Sequence, residues 1–226
     1  IFRPTQLYFK AFGGFFRKPL LDIDYFFVQN EESGRLLKKI EQNNFLVTGD
    51  TRFDRVADAL KSVREIETAA QFKDNSAVLV AGSVWSEDME ILIPFINQSS
   101  NLKFIIAPHE IKDQQMKEWE NQITGKSVIR FSNAANNENL SSFDVLIIDN
   151  VGMLSSIYQY GDYAFIGGGF KTGLHNILEA ATFGMPIFFG DKSYIKFQEA
   201  KDLIDENGAF KVSSFEAFNN KMAEFL

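Results

Sequence analysis

The chain has 226 residues, 45% of them hydrophobic, with 30 acidic side chains against 23 basic ones and a net charge of −7. This is the composition of a soluble globular protein able to bury a full core, and the acidic balance excludes a general nucleic-acid binder, which needs a basic field to displace counterions from phosphates. The absence of cysteine removes disulfides, thiolate metal sites and thiol nucleophiles together, and the two histidines, His109 and His175, leave little room for histidine-based catalysis.

The first 21 residues hold Arg3, Lys10, Arg17 and Lys18 and no acid, interleaved with Phe2, Tyr8, Phe9, Phe12, Phe15 and Phe16. Such a surface suits anionic lipid headgroups, and it suits equally well a neighbouring domain outside this chain. A strand is predicted at Tyr25–Val28, a helix at Glu32–Ile40 and a second strand at Phe45–Val47, after which Gly49 and Asp50 break the pattern. From there short apolar runs alternate with amphipathic segments. Ala77–Ala81, Lys103–Ala107, Val128–Arg130, Val145–Ile148, Tyr163–Ile166, Pro186–Phe189 and Ala209–Val212 read as strands. Asp88–Ile96, Ile111–Asn121, Gly152–Tyr160, His175–Thr182 and Phe197–Glu206 read as helices. The last stretch, Phe215–Leu226, reads as a helix cut off without a cap, and with Ile1 at the start the chain reads as a fragment. No run reaches the about 18–20 apolar residues that cross a bilayer.

Alternating strands and helices predict an α/β fold with a doubly wound parallel sheet. In such sheets ligands collect at the carboxyl ends of the strands, so the turns there are the candidate site. Gly82-Ser83-Val84-Trp85-Ser86 follows the first of the seven strands. Ser83 is placed either to hold a phosphate or to cap the next helix, and Ser86 is adequately explained as a cap. Pro108-His109-Glu110 puts a histidine at a strand end, and Asp149-Asn150-Val151-Gly152-Met153-Leu154 opens a further helix N-terminus onto the same edge. Four rich turns on one edge make a nucleotide-sized cleft.

The fourth turn is the most informative. Gly167-Gly168-Gly169-Phe170-Lys171-Thr172-Gly173 joins the run Tyr163–Ile166 to the segment His175-Asn176-Ile177-Leu178-Glu179. Glycines let the backbone turn tightly and approach a ligand, and a helix N-terminus beyond them would turn free N–H groups and a positive dipole end toward an anion. The P-loop pattern fails because Leu174 and His175 stand where Lys and Ser or Thr are required, and the dinucleotide fingerprint fails at Thr172. Asn176 and Glu179, three apart, share a helix face and offer the acceptors and donor that suit a ribose. They serve as well for a capping residue and a solvated carboxylate. His175 and Glu179 are four apart, yet no second His or Cys stands nearby to complete a metal site.

Together these residues resemble the 3-deoxy-D-manno-octulosonic acid (Kdo) transferases, which attach Kdo from CMP-Kdo to a lipid A precursor. The matching pieces are Asn30–Ser33, Val47–Asp54, Gly82-Ser83, Pro108–Glu110, Asp149–Leu154 and Gly167–Gly190, and they span nearly the whole chain. The resemblance implies the C-terminal Rossmann-like, donor-binding domain of a GT-B glycosyltransferase over residues 51–226, preceded by the tail of the N-terminal acceptor domain and a linker over residues 1–50. It implies CMP-Kdo as donor without a metal, with Ser83, Pro108, His109, Gly152, Met153, Leu154, Gly168, Gly169, Asn176 and Glu179 toward it. The phosphate would lie at the glycine turn, the ribose at Asn176 and Glu179, and the cytidine or phosphate side along Met153 and its neighbours. The general base would be an acid of the N-terminal half, outside this chain, so the fragment is expected to be inactive alone. The implied place is lipopolysaccharide biosynthesis at the cytoplasmic face of a Gram-negative inner membrane, with peripheral membrane contact and no nucleic acid.

Two positions depart from the family pattern. Pro108 stands where many members carry Arg, and Trp85 stands where many carry His, which removes a charged contact and a histidine. A relative that uses a UDP-sugar, either a glycosyltransferase or an epimerase of the UDP-N-acetylglucosamine type, is the enzymatic alternative. A nucleotide-binding module without chemistry is the other.

Overall fold

The structure, a computed structural model, describes residues 2–51, 54, 56, 58, 63–134, 137–171 and 173–226. Arg52 and Phe53 of the 47–54 stretch and Thr172 of the glycine turn lie outside the described residues. The chain forms two compact units, Ile1–Asp58 and Ala59–Leu226.

In the first unit strands β1 (Phe26–Val28) and β2 (Phe45–Val47) pair in parallel across the helix Glu31–Lys38, the crossover that a parallel pair demands. Asn30 caps that helix, its Oδ1 accepting the Ser33 N–H at 2.9 Å, which gives the Asn30–Ser33 piece a local reason. Phe26, Val28, Leu37 and Ile40 form the core, with Phe2, Phe9, Leu20, Phe45 and Val47 packed on it. The basic aromatic segment is thus divided. Phe2 and Phe9 face inward, whereas Phe12 and Phe15 are about three-quarters exposed, at 73% and 75%. Arg17 spends its guanidinium on the carbonyls of Tyr8 and Lys10, at 2.7 and 2.8 Å.

The second unit holds seven strands, β3 (Val78–Val84), β4 (Lys103–Pro108), β5 (Val128–Arg130), β6 (Val145–Ile147), β7 (Tyr163–Ile166), β8 (Ile187–Gly190) and β9 (Ala209–Val212). All pairings are parallel, in the order β5-β6-β4-β3-β7-β8-β9. The α/β, doubly wound parallel sheet predicted from the alternation is the architecture found. Leu79, Ala81, Phe104, Ile106, Val145, Ile147, Phe165 and Phe188 meet the helix Ser86–Gln98 and Phe218 and Met222 of the helix Phe215–Met222 in one core. The alternate residues Val78, Val80, Ile105, Leu146, Ala164, Ile166, Ile187 and Phe189 are buried as well. A sheet covered on both faces needs apolar residues at consecutive positions, which is why its strands read as continuous runs.

From β3 the chain steps to β4, continues on that side through β5 and β6, then returns to lay β7 on the other flank of β3. The winding therefore reverses between β3 and β7, the topological switch point where open α/β sheets form their ligand crevice. The glycine turn sits there.

Several boundaries differ from expectation. Strand β3 runs through Gly82 and Ser83 to Val84, with a register shift between Gly82 and Val84. Ser83 takes φ +55°, a bulge that lengthens the strand past the point where Gly and Ser predict a turn. Ser86 is the first residue of its helix rather than the cap. The segment expected to be helical over Gly152–Tyr160 is a single α-turn, Leu154–Ile157, followed by a 3₁₀ turn over Tyr158–Tyr160. The helix expected from His175 begins at Leu178 and ends at Ala181. The C-terminal helix closes at Met222 with Ala223 as its cap.

Candidate functional site at the switch point

Neighbouring strands β6, β4, β3 and β7 deliver their carboxyl ends side by side, and with them the four turns singled out in the sequence. Pro108 ends β4 opposite Val84, and the His109 N–H donates to the Val84 carbonyl at 2.9 Å. After β6, Gly152 turns the chain at φ +83°, a conformation that favours glycine, and the Met153 carbonyl accepts the N–H groups of Ser156 and Ile157. This loop folds against the end of β3. A Cβ on Gly82 would stand 2.0 Å from the Tyr158 hydroxyl and 3.1 Å from Leu154 Cδ1.

The glycines of the fourth turn answer first to the protein's own backbone. A Cβ on Gly167 would stand 2.1 Å from the Ser83 carbonyl oxygen, and one on Gly169 would stand 2.5 Å from the backbone N and O of Gly190. Gly168 takes φ +85°, and a Cβ there would lie 2.3 Å from the Gly173 oxygen. The turn is also closed by its own hydrogen bonds. The Gly167 N–H donates to Gly82, the Gly173 N–H to Gly168 and the His175 N–H to Gly167. The sequence read these glycines as room for a ligand, whereas the room at 167–169 is taken by the β3 bulge and residues 173 and 190.

Asp88 is the polar centre that sequence reasoning missed. Its Oδ2 accepts the Trp85 N–H at 2.8 Å and the Gly168 N–H at 2.9 Å. The residue is fully buried, and Oδ1 has no hydrogen-bond partner. One carboxylate thus caps the helix Ser86–Gln98, the duty assigned from sequence to Ser86, and ties that cap to the glycine turn. Burial pushes its carboxyl up to about 6, against the pull of those two N–H groups. An acid at the capping-box position N3, Asp88, was the available signal.

Asn176 and Glu179 are brought together. The Asn176 Nδ2 donates to Glu179 Oε1 at 2.8 Å, and Asn176 Oδ1 accepts the Leu178 N–H at 3.3 Å. Asn176 therefore turns the chain into the short helix, whose N-cap is Ile177, and orients the carboxylate at once. Burial first, and the Glu179 charge second, raise the Tyr158 phenol above its ordinary range, which sets Glu179 beside the loop that covers Gly82. Because the helix is a single turn, the macrodipole expected at the turn is small. Instead, three rings stand at the site: Trp85, His109 and His175 stack on one another. Among the described residues no three His, Cys, Asp or Glu side chains converge as a metal site would require.

Comparison with known proteins gives this edge a lineage. A 3-deoxy-D-manno-octulosonic acid transferase of Rickettsia typhi is 30% identical over 157 residues, covering 68% of this chain and 34% of that protein. Another, from Chlamydophila psittaci, is 29% identical over 187 residues, covering 80% and 42%. The chain belongs to the Kdo transferase family. The crystal structure of the C-terminal CMP-Kdo binding domain of WaaA from Acinetobacter baumannii superposes with a TM-score of 0.55 at 23% identity, over 76% of this chain and 87% of that one. The fold of the second unit is accordingly the Rossmann-like C-terminal domain of a GT-B glycosyltransferase. No family model matches the chain. It spans about a third to two-fifths of the length of these curated relatives.

Proposed function

We propose that this chain is the donor-binding part of a Kdo transferase, which moves Kdo from CMP-Kdo onto a lipid A precursor in lipopolysaccharide biosynthesis. The observation that carries the reading is the meeting of the β3, β4, β6 and β7 turns at the switch point, in a chain whose relatives bear that name. In this reading the nucleotide lies across the crevice. Ser83, Gly168 and Gly169 shape the bed for the phosphate, Asn176 and Glu179 take the ribose hydroxyls, and Pro108, His109, Gly152, Met153 and Leu154 wall the pyrimidine side. The Asn176–Glu179 hydrogen bond favours this role, because a carboxylate already oriented by a neighbour loses little freedom on meeting a diol.

The chemistry is departure of CMP as an acceptor hydroxyl attacks the anomeric carbon of Kdo. This domain's share is to hold the leaving phosphate with donors fixed in place before the reaction, so that the developing charge needs no reorganisation. Activation of the acceptor belongs to an acid outside this chain, and the phosphate is held without a metal. The exposed Phe12 and Phe15, with Lys10 and Lys18 nearby in sequence, suit contact with a membrane surface on the side of the lipid acceptor. No helix among the described residues is long and apolar enough to cross a membrane.

Calorimetric titration with CMP, UMP and UDP, with and without magnesium, tests the reading. CMP-selective, magnesium-independent binding is the expected result, and Glu179→Ala should weaken it about 10- to 100-fold, the worth of charge-assisted hydrogen bonds, without unfolding the domain. Selectivity for UDP would replace the reading with a UDP-sugar enzyme. Unchanged affinity in the variant would remove Glu179 from the ribose.

A further inference from the structure

The three stacked rings come from three separate turns and do more than fill space. Trp85 and His175 have nearly parallel ring planes, 16° apart, with centroids 6.5 Å apart. His109 stacks across both, 4.2 Å from Trp85 and 4.3 Å from His175. The Trp85 Nε1–H donates to His175 Nε2 at 3.0 Å. An indole nitrogen can only donate, so Nε2 offers its lone pair and the neutral imidazole must carry its proton on Nδ1. Burial, and second the charge on His109, hold the His175 imidazolium form down.

Both partners are anchored from beneath. The Trp85 N–H is bound by the buried Asp88 carboxylate, which also binds the Gly168 N–H. A Cβ on Gly168 would lie 3.0 Å from His175 Cδ2, so the Cδ2 edge of the ring rests on the glycine turn. Indole and turn thus occupy one side of the imidazole. Among the described residues nothing hydrogen-bonds to Nδ1 on its other side.

We propose that Trp85 is a positioning residue that locks His175 in the Nδ1–H tautomer, and that His175 thereby becomes a neutral hydrogen-bond donor to an anionic oxygen of the bound nucleotide sugar. The ligand in this proposal rests on the donor-site reading above; the lock does not. No proton moves. The imidazole supplies a fixed N–H dipole where a one-turn helix supplies little, and it does so without bringing a second buried charge next to Asp88. A donor that cannot also accept leaves His175 one neutral tautomer only.

The test uses the 226-residue chain labelled with nitrogen-15, and long-range proton–nitrogen spectra of His175 between pH 5 and pH 8. The expected result is a protonated, pyrrole-type Nδ1 and a bare, pyridine-type Nε2, with titration displaced below the usual histidine value of about 6.5. Trp85→Phe keeps a ring for His109 to stack on and removes the N–H. It should let Nε2–H appear, move the His175 titration upward and weaken CMP about tenfold, the worth of one hydrogen bond. A wild-type ring protonated on Nε2 overturns the lock even if the variant fails to fold, and so does a folded variant with the wild-type tautomer. CMP that binds without moving the Nδ1 resonance overturns the ligand role of His175 and leaves the donor-site reading standing. Failure of CMP to bind at all overturns that reading together with the ligand assigned to His175, while the ligand-free spectrum still judges the lock.

Discussion

Replacing Asp88 by asparagine probes the buried carboxylate that ties the helix Ser86–Gln98 to the glycine turn. In the native protein its carboxyl is raised from the ordinary 3.8 to about 6 by burial, so between those values the folded chain holds a proton that the unfolded chain has released. Stability from this group therefore rises as pH falls, because more protons are bound in the folded state. A shift of about 2 units at 1.36 kcal/mol each corresponds to about 3 kcal/mol in full, of which about 2 kcal/mol is recovered between pH 7.5 and pH 4.5. The structure supplies a place for the proton: Oδ1 is buried and unpartnered while Oδ2 accepts both N–H groups, so protonation at Oδ1 costs no hydrogen bond. Asparagine keeps one oxygen for the two donors and carries no charge. At pH 7.5 relief of the buried charge is offset by about 1–3 kcal/mol for an amide nitrogen without an acceptor, and the variant should be close to wild type in stability. Urea unfolding at pH 7.5 and 4.5 should then show wild type gaining about 2 kcal/mol on the variant at the lower pH. Glu87 and Asp144, whose carboxyls lie below their ordinary values, lose stability over the lower part of the same range, but both chains retain them and their effect cancels in the difference. Equal pH dependence in the two chains would refute the assignment of Asp88 as a buried, charge-penalised tether.

Gly167→Ala drives a methyl group to 2.1 Å from the Ser83 carbonyl. Backbone must shift on both sides of the switch point, and a loss of about 3 kcal/mol in urea unfolding is expected, together with loss of nucleotide binding; a stable variant would show that the two turns are not in contact. Arg130 joins Glu120 through two hydrogen bonds, at 2.5 and 2.9 Å, and Asp113 through a third at 2.6 Å, with 14% of its side chain exposed. Arg130→Ala should cost about 2 kcal/mol, well beyond a surface pair, and double-mutant analysis with Glu120→Ala should return most of that as coupling.

Most of the fold was legible because its signal is local. Each strand of a doubly covered parallel sheet must be apolar on both faces, so Ala77–Ala81 or Tyr163–Ile166 announces itself as an unbroken run, and predicted strand ends differ from the observed ones by a few residues at most. Short helices were not legible. The stretch after Gly173 has a helix former's composition from His175 onward, yet His175 gives its N–H to Gly167 and its ring to Trp85, and Asn176 spends its side chain on the Leu178 N–H. Those bonds delay the helix to Leu178. Ser86 looked like the cap of its helix because serine commonly is one, but Asp88, two residues inside the helix, outcompetes it by reaching back to the Trp85 N–H.

By itself the sequence determined the alternation of elements, the sheet edge on which the rich turns fall and the family to which the chain belongs. The first two depend on composition and spacing and the third on a resemblance carried by short motifs, and none of these needs knowledge of what lies across the fold. Only the tertiary structure decided how the turns are used: that the glycines admit the β3 bulge and residues 173 and 190, that one buried carboxylate joins two turns 80 residues apart, and that Trp85, His109 and His175 meet as one set of rings. Residues distant along the chain acquire a protonation state and a tautomer from neighbours that only folding supplies.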